Sequence, residues 1–385
     1  MMTQVEAIDR YFAGCIRCVL NGQTAPAWPV GLDTQSSAAK QRLEYHGIAL
    51  LLAQSAPPLT GWPKDLADTL QDEARLQALW EADHIVAVAR LIESLHQADI
   101  TSLVMKGTAL AYSIYPEPAL RRRGDTDLLI ESDKRDEVRE VFRQCGFDPG
   151  ADRRVLQEDW VFHSPAGFSH QIDLHWAPSS SMAISGGIAC DHPRQRAIAL
   201  PSLSPNAMGT GLIDTFVQTC INRTAHEAFG YLIEGEKLFE GDRLIWAVDL
   251  HSLALRFSAA DWQALTRIAA RWGAAQSVLS GINFAQRALD TEIPRTVIRE
   301  LTSSAQSANS VSTHYNEASP LRRLTDDLEA AAGMSLKLAV LTEHTLPSRR
   351  FMQSRYPGSA SWPLPALHLR RFLDGTVRML LGSRR

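Results

Sequence analysis

At residue 99 the texture of this chain changes from long helical periodicity to short apolar, β-branched runs, and that switch restricts the fold more than any other feature of its 385 residues. Upstream, "KDLADTLQDEARLQALWEADHIVAVARLIESLHQADI" contains no Gly or Pro, and its Leu, Ala, Ile and Val recur at helical spacing. It predicts one long amphipathic helix ending near His96. Downstream, "ITSLVMK" is short, apolar and rich in β-branched residues, which predicts a buried strand stopped at Gly107. "TALAYSIY" predicts a short helix halted by Pro116 and Pro118. "DTDLLI" predicts a second strand, and "SDKRDEVREVFRQCGF" a helix with Ser132 as its N-cap and Gly146 at its stop. "WVFHS", the turn "PAG" and "FSHQIDLHW" predict a hairpin.

Strands and helices therefore alternate over 99–176, while both flanks read as helical. On the N-terminal side "EAIDRYFAGCIRCVL" and "AAKQRLEYHGIALLLAQS" repeat apolar residues at helical spacing until "PPLTGWP" breaks the pattern. Residues 180–210 are rich in Ser, Gly, Pro and Ala, which predicts a long loop or flap. Helical periodicity returns from 211 onward, with Ser258 and Asp261 as a capping pair, and 303–320 reads as a polar connection. The expected division is a helical region over 1–98, a central unit over 99–200 and a second helical region over 201–385.

Composition narrows the function classes. The net charge of -4 exerts no global pull on nucleic acid or anionic membrane, although the last 37 residues carry a clear arginine excess. That tail, "LHLRRFLDGTVRMLLGSRR", is basic and amphipathic; it suits an anionic partner or, more commonly, docking on its own domain. No apolar run is long enough for a transmembrane helix, and the first residues lack the pattern of an export signal. Five cysteines, Cys15, Cys18, Cys145, Cys190 and Cys220, form an odd and sparse set. They point to free thiols in a reducing, cytoplasmic setting. Cys15-x-x-Cys18 has no second pair with which to hold zinc, so both read as helix residues.

The chemistry concentrates in the central unit. In a strand, Asp125 and Asp127 share one face and Thr126 the other. Two carboxylates so close repel unless a cation lies between them, and oxygen-only ligands suit Mg²⁺. In "HQIDLHW" the residues Gln171, Asp173 and His175 fall on one face and Ile172, Leu174 and Trp176 on the other. If the two strands are neighbours, Asp173 becomes a third carboxylate able to take a proton from an attacking hydroxyl, with His175 behind it. Lys106 and Gly107 stand where a strand opens into a helix, whose free N–H groups favour phosphate, and Thr108 adds a hydroxyl. The Walker A pattern is absent. Arg121, Arg122 and Arg123 precede the Asp-x-Asp strand and are placed to meet a triphosphate. His226, Asp249 and His251 are polar residues of the later helices that either line a cleft or sit at the edge of a core.

The run "LVMKGTALAYSIYPEPALRRRGDTDLLI", followed by a helix to "CGF" and by "QIDLHW", resembles the uncharacterised bacterial nucleotidyltransferases of the polymerase-β-like superfamily. That resemblance implies an α+β nucleotidyltransferase fold: a small mixed β-sheet with flanking helices, set between mostly helical N- and C-terminal regions. It implies catalytic and metal-binding roles for Asp125, Asp127 and Asp173, and nucleotide-binding roles for Lys106, Gly107, Thr108 and Arg121. The implied cofactor is Mg²⁺ or Mn²⁺. The implied substrates are a nucleoside triphosphate such as ATP and a hydroxyl acceptor that is a small molecule, a sugar, a protein or an RNA. Lysine replaces the Gly-Ser pair more usual in the superfamily. Two other classes fit part of the pattern. An Asp-x-Asp glycosyltransferase explains "DTD" but gives "KGTAL" and "DLHW" no role, and a non-catalytic nucleotide-binding module explains the fold alone.

Overall fold

The computed structural model describes residues 3–32, 36–54, 61–130, 132–189, 193–233, 236–238, 241–305, 310–359 and 361–380. Helix α1 (Gln4–Leu20) begins with a capping box between Thr3 and Glu6. Helices α2 (Ser36–His46) and α3 (Ala49–Ala53) follow, then the 34-residue α4 (Lys64–Gln97). At 1.5 Å per residue α4 is about 50 Å long. Its apolar face buries Leu66, Leu70, Val88, Leu91, Ile92 and Leu95. Cys15 and Cys18 lie on α1 as free thiols, Cys145 and Cys220 are also free, and Cys190 lies outside the described residues.

The central unit opens with β1 (Ser102–Met105), which passes directly into α5 (Lys106–Ser113). Then come β2 (Asp125–Ile130), α6 (Arg135–Gln144), β3 (Asp148–Arg153), β4 (Gln157–His163) and β5 (Ser169–His175). Lys134 rather than Ser132 is the N-cap of α6, because residues 132–134 form a short 3-10 turn ahead of it. Gly146 takes φ +79 at the stop, as its place after the helix predicts.

The Ser- and Gly-rich stretch after β5 is more ordered than its composition suggests. It forms α7 (Met182–Ala189) and the two-residue strands β6 (Ile198–Ala199) and β7 (Met208–Gly209). Ile184 and Ile188, four apart, bury one side of α7, and the Asp327 carboxylate accepts from the Ala183 amide and the Ser181 hydroxyl near its start. The chain continues through α8 (Leu212–Phe229) and a small hairpin, β8 (Tyr231–Ile233) and β9 (Glu236–Leu238), that the periodicity does not announce. Helices α9 (Leu244–Ala254), α10 (Ala259–Arg271), α11 (Ala275–Leu289) and α12 (Arg295–Ser304) come next. Ser258 and Asp261 form the expected capping box on α10. Helices α13 (Pro320–Ala330), α14 (Gly333–Thr345), α15 (Arg349–Arg355) and α16 (Leu364–Leu380) close the chain. In the basic tail Leu367 packs with Met352 and Tyr356 of the preceding segment. No helix among the described residues is long and apolar enough to cross a membrane.

Seven strands form one mixed sheet in the order β3-β4-β5-β2-β1-β7-β6. β2 runs antiparallel to β1 and parallel to β5, and β4 is antiparallel to β5. One face of the sheet is apolar: Val104, Leu128, Ile130, Trp160, Ile172 and Leu174 pack on α4 and α6. A second cluster joins Ile8, Phe12, Trp28 and Leu52 of the N-terminal segment to Leu244, Trp246 and Phe284 of α9 and α11. A third centres on α8 to α12 and takes in Leu110 and Ile114. The other face carries a small apolar cluster of Leu103, Met105 and Leu129, and beside it the sheet has a place for polar groups.

Candidate active site

Strand register assembles the acids. Asp127 lies directly across from Asp173, Asp125 from Gln171 and Leu129 from His175. Asp125, Asp127, Asp173 and His175 thus share the polar face, while Thr126, Ile172 and Leu174 turn to the core. The antiparallel pairing of β4 adds residues that the hairpin prediction started too late to include: Gln157 lies opposite His175 and Asp159 opposite Asp173. Gln157, Glu158 and Asp159 are polar in succession, so no alternation in "QEDW" announces the start of the strand.

Asp127 is buried and takes two partners on one oxygen. Lys106 Nζ donates to Oδ1 at 2.6 Å, and His175 Nε2 lies 2.8 Å from the same atom. Asp173 accepts from Gln157 Nε2 at 2.8 Å and from Gln171 Nε2 at 3.0 Å. Asp127, Asp173 and His175 each present a ligand atom within 4.8 Å of the others. Asp125, half-buried, has no side-chain hydrogen bond or ion pair among the described residues. His175 Nδ1 is buried and has no partner among them either.

The electrostatics reflect a crowd of carboxylates short of positive charge. Burial, then repulsion from Asp127, raises the Asp125 carboxyl to about 6. Burial, then Asp125 and Asp127, raises Asp173 to about 6 as well. Burial pushes Asp127 in the same direction, but the Lys106 charge and the His175 hydrogen bond outweigh it and bring it down to about 2. For Lys106, burial disfavours the charge and Asp127 more than restores it, to about 12. A divalent cation fits this donor set: it would relieve the two raised carboxyls, and an imidazole nitrogen stands beside the oxygens.

The other expected residues divide. Lys106 reaches the acids from a left-handed backbone, φ +50, at the first position of α5. Such a conformation is costly for a non-glycine residue and is found where a site demands it. Met105, the N-cap, provides no side-chain hydrogen bond to the start of α5. Gly107 sits beneath Arg121: a Cβ there would lie 3.7 Å from Arg121 Nη1. Arg121 itself is buried, with Nε 2.8 Å from Asp249 Oδ1 and Nη2 2.8 Å from Oδ2, and Tyr115 donates to the same carboxylate. Arg122 lies 3.4 Å from both Glu44 and Glu73. Arg123 turns to the core side of the sheet and pairs with Glu81 at 2.8 Å. Asp249 therefore serves Arg121 rather than a cleft. His226 stacks on Trp246, and His251 bonds to Thr291 Oγ1.

Thr108 points away from the acids into a buried chain of hydrogen bonds under β2. Arg123 Nε donates to Thr108 Oγ1 at 3.1 Å, and Thr108 Oγ1 lies 2.9 Å from Thr126 Oγ1. Thr126 Oγ1 lies 2.9 Å from His84 Nε2, His84 Nδ1 3.2 Å from His170 Nδ1, and His170 Nε2 2.7 Å from Asp83 Oδ2. One assignment of protons satisfies every link. His170 gives its Nε2 proton to Asp83 and accepts at Nδ1 from His84. His84 then accepts from Thr126, and Thr126 from Thr108. Burial first, and then Arg123, holds His84 well below the usual histidine range, consistent with the neutral ring this requires. The chain fixes Thr126, and with it the acids on either side.

A cavity of about 70 Å³ opens beside the acids, lined by Lys106, Gln157, His175, Gln218, Asn222 and Tyr315 among others. Of these, Gln218 and Asn222 of α8 and Tyr315, on the short π-helix Thr313–Glu317, lie beyond the strands and α5, and no motif announces them.

A sequence model of the family described as "Uncharacterised nucleotidyltransferase" matches residues 34–290. No curated protein matches the chain. Among solved structures, the crystal structure of an antigenic nucleotidyltransferase-like protein from Paracoccidioides brasiliensis is similar at 14% identity. The similarity covers 56% of this chain and 97% of that one at a TM-score of 0.35, too low to bear on the arrangement of elements.

Proposed function

The chain belongs to the uncharacterised nucleotidyltransferase family, and from that premise we propose that it transfers a nucleoside monophosphate from a nucleoside triphosphate to a hydroxyl acceptor in a metal-dependent reaction. The observation that supports this reading most is the cross-strand meeting of Asp127 and Asp173 beside His175, with Lys106 at its edge.

In the proposed reaction Asp125, Asp127 and Asp173 would hold Mg²⁺ or Mn²⁺. The bound metal supplies charge neutralisation at the phosphates and a lowered pKa for the acceptor hydroxyl. His175 orients Asp127 through its Nε2 contact, and Gln157 and Gln171 hold both oxygens of Asp173 in place. Asp173 accepts the acceptor's proton and passes it to solvent. A bond forms between the acceptor oxygen and the α-phosphorus. The bond from that phosphorus to the bridging oxygen breaks, and pyrophosphate leaves. Lys106 and the N–H groups at the start of α5, Gly107 included, meet its charge. Thr108 and Arg121 act on the nucleotide through position: Thr108 anchors β2 from behind, and Arg121 braces the α5 turn.

A melting-temperature panel tests the reading, with ATP, GTP, CTP, UTP and nucleotide-sugars, each in Mg²⁺, Mn²⁺ or EDTA. A ligand bound only by the folded state raises the midpoint. The proposal expects a metal-dependent rise with a triphosphate. A rise confined to nucleotide-sugars would replace it with the glycosyltransferase reading.

A further inference from the structure

A second and larger cleft, of about 490 Å³, lies off the end of the sheet where β2 and β5 both begin. The two strands run parallel, and the cleft wall includes Arg122, Arg123 and Gly124, which lead straight into Asp125, and Phe168, which leads into β5. The cavity beside Lys106 and His175 belongs to the opposite end of the acid row. The two spaces therefore flank the carboxylates.

The large cleft has apolar walls from Leu50, Leu76, Trp80, Phe168 and Tyr231. Its cations differ in how they are matched. Arg123 is paired with Glu81, and Arg122 lies between Glu44 and Glu73. Arg243 is different. It is 5% exposed and its guanidinium carbon lies 4.0 Å from the Tyr231 ring centroid. Its Nε donates to the Tyr45 carbonyl, but neither Nη nitrogen has an acceptor, and no carboxylate pairs with it, among the described residues. Gly47, at φ +66, makes room for it: a Cβ there would stand 3.0 Å from Arg243 Nη2. A buried guanidinium without a counter-charge is costly, and the neighbouring Arg121 and Arg122 add repulsion. Its planar donors suit an oxyanion.

Building on the nucleotidyltransferase reading, we infer that this cleft is the acceptor site, and that the acceptor is an organic anion: an aromatic or apolar body whose phosphate or carboxylate meets Arg243 and whose hydroxyl is offered at the Asp125 end of the acid row. The aromatic walls take the body, and the triphosphate occupies the Lys106 end.

Titration calorimetry on the full chain tests this with phenyl phosphate, benzoate and neutral benzyl alcohol as probes, and Mg-NTP as a separate arm. The parent is expected to bind at least one anion and not the alcohol. Which anion binds tells a phosphate from a carboxylate acceptor. Arg243→Met should weaken that binding at least tenfold while leaving Mg-NTP affinity unchanged. Leu76→Glu, at a position 59% exposed on α4 where folding is not at stake, should weaken it by placing a negative charge on the rim. Asp127→Asn should lose Mg-NTP and keep the anion. The inference is overturned if neither anion binds at millimolar concentration, if both cleft variants bind as well as the parent, or if Arg243→Met weakens Mg-NTP, which would make the cleft part of the nucleotide site. Loss of Mg-NTP binding by the parent would instead remove the underlying transferase reading.

Discussion

At the scale of single residues, the site depends on which charges are already matched. Among the described residues Lys106 is the cation that reaches the acids, bonded to Asp127, whereas Arg121 and Arg123 are committed to Asp249 and Glu81. Lys106→Ala is therefore expected to weaken Mg-NTP binding about tenfold, about 1.4 kcal/mol, measured by calorimetry. An affinity equal to the parent's would remove its role. Arg121 invites a different test. Asp249→Ala leaves a buried guanidinium unpaired, which typically costs about 3–5 kcal/mol. Urea unfolding should show a loss of that order; a loss under about 1 kcal/mol would mean that Arg121 finds other partners. The sequence placed Arg121 at a triphosphate because arginines ahead of an Asp-x-Asp strand suit one. It could not show the partner, since 128 residues separate Arg121 from Asp249. Only the packing of α9 against the α5 region brings the two together.

At the scale of elements, much of the site was legible because it follows from strand periodicity. The bounds of β2 coincide with "DTDLLI", and the parallel pairing of β2 with β5 puts Asp173 beside Asp127, as alternation on two neighbouring strands requires. The pattern of β4 is legible only from Trp160, because Gln157, Glu158 and Asp159 are polar in succession; Glu158 holds the core-side position, buried against Arg139, where an apolar residue would have shown the alternation. Thr108 was read as a ligand for phosphate; its burial beneath β2 depends on α4, whose His84 meets Thr126 from across the core. This contact carries a pH signature. His84 is held well below 6.5 when folded and returns to the ordinary range when unfolded. The unfolded chain then binds the extra proton, so the contribution of His84 is fully present above that range and falls as pH drops through 6.5. Chemical unfolding at pH 7.5 and 5.5 should therefore show a smaller acid-induced loss in His84→Gln than in the parent, by up to about 1.4 kcal/mol per pH unit. Equal losses in the two proteins would contradict the neutral, hydrogen-bonded ring.

At the scale of the whole molecule, the helical flanks do more than cover the sheet. Residues from α1 to α4 share a core with α9 and α11, and this shared mass carries Arg243, Tyr231, Leu50 and Leu76 to one end of the acid row. Helix α8 and the π-helix that carries Tyr315 close the other end around Lys106. A sequence read by local pattern sees two helical regions; it does not see that they meet, because the contacts join residues some two hundred positions apart. The composition of 180–210 likewise hid α7, whose start is held by Asp327 from far along the chain.

Whether Asp125, Asp127 and Asp173 form the proposed metal-dependent nucleotide site is tested by calorimetric titration of Mg-NTP into the parent and Asp127→Asn, repeated in EDTA. The parent is expected to bind in a manner that EDTA abolishes, and Asp127→Asn to lose at least a hundredfold in affinity with the circular dichroism spectrum unchanged. A variant that keeps its fold and binds Mg-NTP as tightly as the parent would contradict that site.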